Sequence, residues 1–353
     1  MSIEEHHVSA VEFIKTHIRA WRFATLENTS ITLLTGNSNR VYLVQTTLNI
    51  SPSKLIYRVF GPDYITNKSR ERRIYSKLSS LGYAPKNYGE STRERIEHFL
   101  DGFGHLSRNM LHDPVIIDQV AKRLRVIHSI DMNEVLGGET IMTDENPRRW
   151  REFNNNRIET NPNLIHKPEA RGEILELLTC QQWEAYQNIL PRNSPVVYSH
   201  LDPSPINFLY NSQINQVYFV DFEFSGLSYR SMDFGLLLNE ITYDFLYDKF
   251  PYWKYCEELK ATDEIVERYV RAYGEGAEMW VEVKQSLIAS NYIWAMWSLA
   301  SYKGPSEGYD FLEYALTRYR RFKNEYQQYL ENGGLEGLVR RSREIFTVEN
   351  ENN

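Results

Sequence analysis

Residues 200–223 read His200-Leu-Asp-Pro-Ser-Pro-Ile-Asn207, then thirteen residues, then Asp221-Phe-Glu223. Three of these side chains could serve one reaction. A carboxylate such as Asp202 can take the proton of an attacking hydroxyl, and the hard oxygens of Asn207 and Asp221 suit Mg²⁺ held against nucleotide phosphates. That set is the protein apparatus of phosphoryl transfer. Asp, Asn and Pro also form ordinary turns, and Asp221 could cap the next segment, so the octapeptide alone decides little. Its context decides more. Short β-rich runs at 195–198, 206–210 and 217–220 flank the loop, with a turn at 211–216, so the three oxygen donors fall at strand ends.

These residues need elements to position them. Apolar spacing predicts a helix over 8–22, a β-meander at 31–35, 40–46 and 54–60, a helix over 66–81, and strands at 86–88 and 95–100. Asp101-Gly-Phe-Gly104 reads as a joint. Beyond it helices dominate: 114–129, 148–156, 170–190, 231–247, 263–273, 281–302 and 307–330. The expectation is an α+β, bilobal, protein-kinase-like fold. A β-rich N-terminal nucleotide-binding lobe covers 1–100, a mainly helical catalytic and substrate lobe covers 101–347, and 348–353 form a polar tail.

On the nucleotide side, the turn Gly36-Asn37-Ser38-Asn39 could bring backbone N–H groups to phosphate oxygens, although a plain hairpin turn has the same composition. Arg58 sits mid-strand where an apolar residue would be cheaper. A partnership with Glu71 on the next helix would brace it for phosphate. The segment 95–100, with Glu97 and Phe99, is placed to line an adenine slot.

The composition bounds the partners. A net charge of −7 without a basic block argues against nucleic acid. The two cysteines, Cys180 and Cys256, have no paired spacing and suggest neither a disulfide framework nor a zinc site. The N-terminus has no signal-peptide pattern, and the apolar stretch 286–300 is interrupted by Ser290, Asn291 and Ser298. It therefore reads as a buried helix rather than a membrane span, and a cytoplasmic protein is expected.

Taken together, Thr35–Asn39, Tyr57–Gly61, Glu71, Ala84–Gly89, Arg95–Glu97, His200–Asp202, Asn207, Val220–Glu223, Tyr229–Gly235, Asn239-Glu240 and Trp294–Trp297 resemble the choline/ethanolamine kinase family. This family sits within the aminoglycoside-phosphotransferase-like kinases. The resemblance runs roughly from Ile31 to Tyr319. It implies Asp202 as base, Asn207 and Asp221 as Mg²⁺ ligands with Glu223 as a second-ion or pocket residue, and Arg58 near the phosphates of ATP. It also implies an acceptor pocket of Glu240, Phe245, Trp294, Trp297 and Tyr314 around a small amino alcohol. Any single aromatic among them is more simply core, but aromatic faces with a nearby acid recognise quaternary ammonium groups. Choline is the expected acceptor, with ethanolamine the alternative. More distant readings are an aminoglycoside or other small-molecule kinase and a non-catalytic nucleotide-binding module. A homodimer is left open. The chain departs from the family pattern at Leu201, where Asn is usual, and at Ile206, where a small residue is usual.

Overall fold

The computed structural model describes residues 3–35, 39–61, 66–305 and 308–347. The turn residues Gly36, Asn37 and Ser38 and the tail from Val348 lie outside the described residues. By its internal contacts the chain divides into two units, Met1–Gly104 with Tyr218–Glu223, and His105–Val217 with Phe224–Asn353.

The first unit is β-rich. Its antiparallel sheet runs in the order Thr29–Thr35, Arg40–Thr46, Lys54–Val59, Glu94–His98, Asn87–Glu90. Strand alternation sends Tyr42, Val44, Leu55, Tyr57 and Ile96 into one core, which Ala10, Val11 and Ile14 of the helix Ile3–His17 cover. That helix stops earlier than expected, and a short 3₁₀ turn, Arg19–Trp21, seats Trp21 against the carbonyl of Pro52 at 2.8 Å. The helix Lys68–Ser80 is capped by Asn67, whose side chain accepts from the Arg70 N–H.

The second unit is mainly helical and is built on Ala277–Ser301, a helix buried nearly all round. Helices Met142–Thr160, Cys180–Ile189, Met232–Glu240, Phe311–Glu331 and Gly334–Thr347 contact it. Three elements differ from expectation. The single helix expected over 170–190 is two, Pro168–Leu177 and Cys180–Ile189, because the Thr179 hydroxyl caps the second. The helix expected over 231–247 ends at Glu240, after which Tyr243-Asp244 pairs with Lys254-Tyr255. Gly334–Thr347 was not foreseen. Gly333 and Gly334, at φ of 89° and 60°, redirect the chain into a new helix rather than ending it. Among the described residues, no helix is long and apolar enough to cross a membrane.

Candidate active site

The Asp202 loop belongs to the helical unit. The strand Val196–Ser199 pairs with Gly226–Tyr229 and delivers the chain to His200. Asp233, in the first turn of Met232–Glu240, fixes the backbone at the start of the loop. Its two carboxylate oxygens accept the N–H groups of His200 at 2.9 Å and Leu201 at 2.8 Å. His128 bridges Tyr273 at 2.9 Å and the same carboxylate at 3.0 Å. Burial alone would raise the Asp233 pKa, but His128 and the loop N–H groups hold it below its usual value. The His200 ring accepts the Asp202 N–H and so holds the loop together.

This clamp forces Leu201 to φ 62°, the left-handed region that a branched side chain resists. The departure from Asn at this position is therefore a strained one. Downstream, Pro205 opens a short 3₁₀ turn that carries Asn207 back to Asp202. The Asn207 amide nitrogen donates to the Asp202 carbonyl at 3.0 Å and to its carboxylate at 2.8 Å. That orientation turns the other amide atom, Oδ1, away from Asp202, where a hard cation could use it.

In the β-rich unit, Arg58 lies on Lys54–Val59 with Arg95 directly opposite on the neighbouring strand. Two like charges at that separation require an acid between them, and Glu97 supplies it. The Glu97 carboxylate accepts from Arg58 and from Arg95, both at 2.9 Å. Arg58 also reaches Asp221 at 3.1 Å. The expected Arg58–Glu71 pair is therefore corrected. Arg95 stacks on Tyr75 at 3.5 Å, one helical turn from Glu71, and it is Arg95 that takes Glu71, at 3.1 Å. Burial opposes the charge on Arg58, but Asp221, Glu97 and Glu71 more than restore it.

The Glu97 side chain thus bridges two arginines, which leaves only its backbone for the slot expected along 95–100. Phe99 lies just beyond its strand with Lys54 Nζ 5.3 Å from its ring centre. The Asn39 side chain accepts from the Gly61 N–H at 3.1 Å and Lys68 at 3.0 Å and donates to Glu223 at 3.1 Å. Glu223 pairs with Lys68 at 2.6 Å. Its expected role as a metal ligand fits poorly, because a cation would have to displace that ammonium. Asp221, whose carboxylate offers about four lone-pair sites, fits better. Among the described residues, no group of three or more His, Cys, Asp or Glu side chains forms a metal site. A magnesium ion held mainly by phosphates needs only one or two protein oxygens.

The acceptor candidates form a continuous run of rings in the helical unit. Trp294 and Trp297 meet edge to face at 5.3 Å, and Phe224 stands edge-on to both, at 5.7 and 6.4 Å. Trp297 touches Phe311 at 5.8 Å, Phe311 touches Tyr309 at 4.7 Å, and Tyr309 touches Tyr314 at 5.7 Å. Phe245 closes the run on Tyr314 at 5.9 Å. The early end of the helix at Glu240 makes this last contact, because the turn after it swings Phe245 back. Phe245, Trp297, Tyr309 and Phe311 are half-buried, leaving ring surface for a ligand.

Glu240 does not face this run as a free anion, which corrects its expected role. Its carboxylate pairs with Arg318, a fully buried guanidinium stacked on Tyr243 at 3.8 Å. A buried acid needs such a partner. Burial still raises the Glu240 pKa above its usual value, against the opposing pull of Arg318.

The choline/ethanolamine kinase family profile matches residues 31–323. This chain belongs to the choline/ethanolamine kinase family. It is an ATP-using phosphotransferase whose β-rich and helical units have the protein-kinase-like composition expected. A probable ethanolamine kinase of Arabidopsis thaliana is 25% identical over 290 residues, covering 76% of this chain and 71% of that protein. Among solved structures, a choline kinase from Cryptosporidium parvum aligns with a TM-score of 0.74 at 20% identity, covering 92% of this chain and 96% of the other. A Plasmodium vivax ethanolamine kinase aligns at 0.69 with 24% identity, covering 85% of each. These likenesses show the fold.

Within this kinase, sequence reading missed Lys68, Arg318 and Phe224, and it gave Arg95 no ion-pair role. Arg318 carried a signal. It lies on the buried face of its helix with Tyr314, Ala315 and Phe322, where a charge must have a buried partner.

Proposed function

We propose that this kinase phosphorylates the hydroxyl of ethanolamine. Asp202 receives the hydroxyl proton while the oxygen bonds to the γ-phosphorus of ATP. The bond from that phosphorus to the bridging oxygen breaks, and ADP leaves with the electron pair. The observation that carries this reading is the double contact of Asn207 with Asp202, in a loop whose backbone is fixed by Asp233. It orients the carboxylate before substrate arrives. Mg²⁺, for which Asn207 Oδ1 and the Asp221 carboxylate are each candidate ligands, would neutralise charge on the phosphates. Arg58 would add a fixed cation beside them.

Two supports favour ethanolamine. The Arabidopsis relative and the Plasmodium structure both carry that substrate in their names. Tyr309, a half-buried ring of the run, also carries a hydroxyl, and a primary ammonium can donate to such an oxygen while a trimethylammonium cannot. Choline, the acceptor expected from the sequence, is the second reading. The half-buried aromatic faces favour it, as does the engagement of Glu240 by Arg318. Offering both acceptors at equal concentration with ATP and Mg²⁺ separates the readings. Predominant phosphoethanolamine is expected. Predominant phosphocholine would overturn the acceptor and leave the kinase standing.

A further inference from the structure

The helical unit holds a cavity of about 460 Å³ between the helices Ala277–Ser301, Phe311–Glu331 and Gly334–Thr347. None of the residues of the Asp202 loop or the ring run lines it. Its wall carries five cations, Lys260, Lys284, Arg321, Arg340 and Arg341, against three acids, Asp263, Glu325 and Glu344. That surplus of positive charge sits in a chain whose net charge is −7.

The acids are already engaged. Asp263 binds Lys284 and Arg341, each at 3.0 Å. Glu325 binds Arg321 at 3.2 Å and Lys260 at 3.4 Å, and Glu344 binds Arg341 at 3.0 Å. Arg340 makes no ion pair among the described residues, and the buried Nε of Arg321 has no hydrogen-bond partner among them. The uncommitted capacity is thus for donors seeking an anion. Leu287, Ile288 and Leu338 add an apolar wall, and the volume falls in the range of small-molecule pockets.

We propose that this cavity binds an organic anion, an apolar or aromatic body bearing one or two negative groups. The body packs on Leu287, Ile288 and Leu338, and the charge meets Arg340 and its neighbouring cations. The site is separate from the acceptor and nucleotide sites and does not depend on which amino alcohol is phosphorylated.

Anilinonaphthalene sulfonate, a fluorescent aromatic anion, is a direct probe. It is titrated into the full chain with the phosphotransfer site saturated by ATP in the absence of acceptor. One site is expected. Arg340→Glu should weaken it roughly tenfold or more, a loss of one charge contact. Ala261→Phe, which fills the cavity from its rim, should abolish it. Both variants should keep wild-type circular dichroism and phosphotransfer, since neither residue belongs to the catalytic machinery. Inorganic phosphate alone should bind far more weakly, lacking a body for the apolar wall. Binding unchanged in either variant, absent once ATP is saturating, or matched by inorganic phosphate would overturn the proposal.

Discussion

The two units contain the same device in different surroundings. In the β-rich unit Arg95 stacks on Tyr75 and binds glutamates; in the helical unit Arg318 stacks on Tyr243 and binds Glu240. Arg95 is one node of a network in which Arg58 and Arg95 share Glu97, Arg95 also holds Glu71, and Arg58 reaches Asp221. Arg318 serves one acid. The consequence appears in the acids. Burial pushes Glu97 up, yet two arginines bring it below its usual value of 4.5; burial pushes Glu240 up, and it stays up. Arg318, with a weaker pull from Arg321, does not cancel the burial of Glu240, whereas the two arginines hydrogen-bonded to Glu97 do cancel its burial. In the proposed reaction the network would hold fixed charge beside the phosphates. The isolated pair leaves the acceptor side dominated by rings.

Breaking each arginine tests that difference most strongly. Arg95→Met should destabilise the protein by about 3–5 kcal/mol or more, because Glu71 loses its arginine and Glu97 loses one of two. Arg318→Met should cost about 3–5 kcal/mol, and adding Glu240→Leu should restore most of it, since the stranded charge is then gone. No single second substitution should rescue Arg95→Met. Denaturant unfolding of the five proteins, with Arg95→Met/Glu71→Leu included, checks this. Full rescue by Glu71→Leu would mean the network is only a set of pairs.

The acids sharpen the comparison through pH. A lowered pKa means that Glu97 adds stability above pH 4.5 and loses it as pH falls through its folded value. The gap between wild type and Glu97→Gln should therefore close on the acid side. Glu240, with a raised pKa, costs stability as pH rises from 4.5 through its folded value. Glu240→Gln should gain on wild type in that direction. Unfolding free energies measured against pH for both variants read out the two slopes, and slopes of the same sign would refute the contrast.

Leu201→Asn should have the smallest effect. It relieves a left-handed conformation worth about 1–2 kcal/mol but surrenders a buried leucine worth about 1.5–3 kcal/mol. A net loss of about 1 kcal/mol in the unfolding midpoint analysis is expected; a clear gain would show that strain outweighs packing here.

The sequence made some of this legible and hid the rest for identifiable reasons. Strand alternation in 40–46 and 54–60 and helical spacing in 114–129 were strong local patterns, and they fold as read to within a residue, as Arg40–Thr46, Lys54–Val59 and Pro114–His128. The spacing of Asp202 and Asn207 was legible because a short loop must join them. The partner of Arg58 was not, because it depends on which acid a strand register brings across: Glu97 lies on a strand whose pairing no local pattern specifies. Glu240 looked like a ligand because its mate, Arg318, lies 78 residues away. The helix from Gly334 was hidden by two glycines, which mark a change of direction as readily as an end.

The central claim is that Asp202 carries phosphoryl transfer to an amino alcohol. Phosphorus NMR of the chain with ATP, Mg²⁺ and ethanolamine, run beside Asp202→Asn with ATP affinity measured on both, tests it directly. The account predicts phosphoethanolamine and ADP from the wild type, and a rate lower by about 10²–10⁴-fold in the variant at nearly unchanged ATP affinity. Near-normal turnover by Asp202→Asn would contradict it.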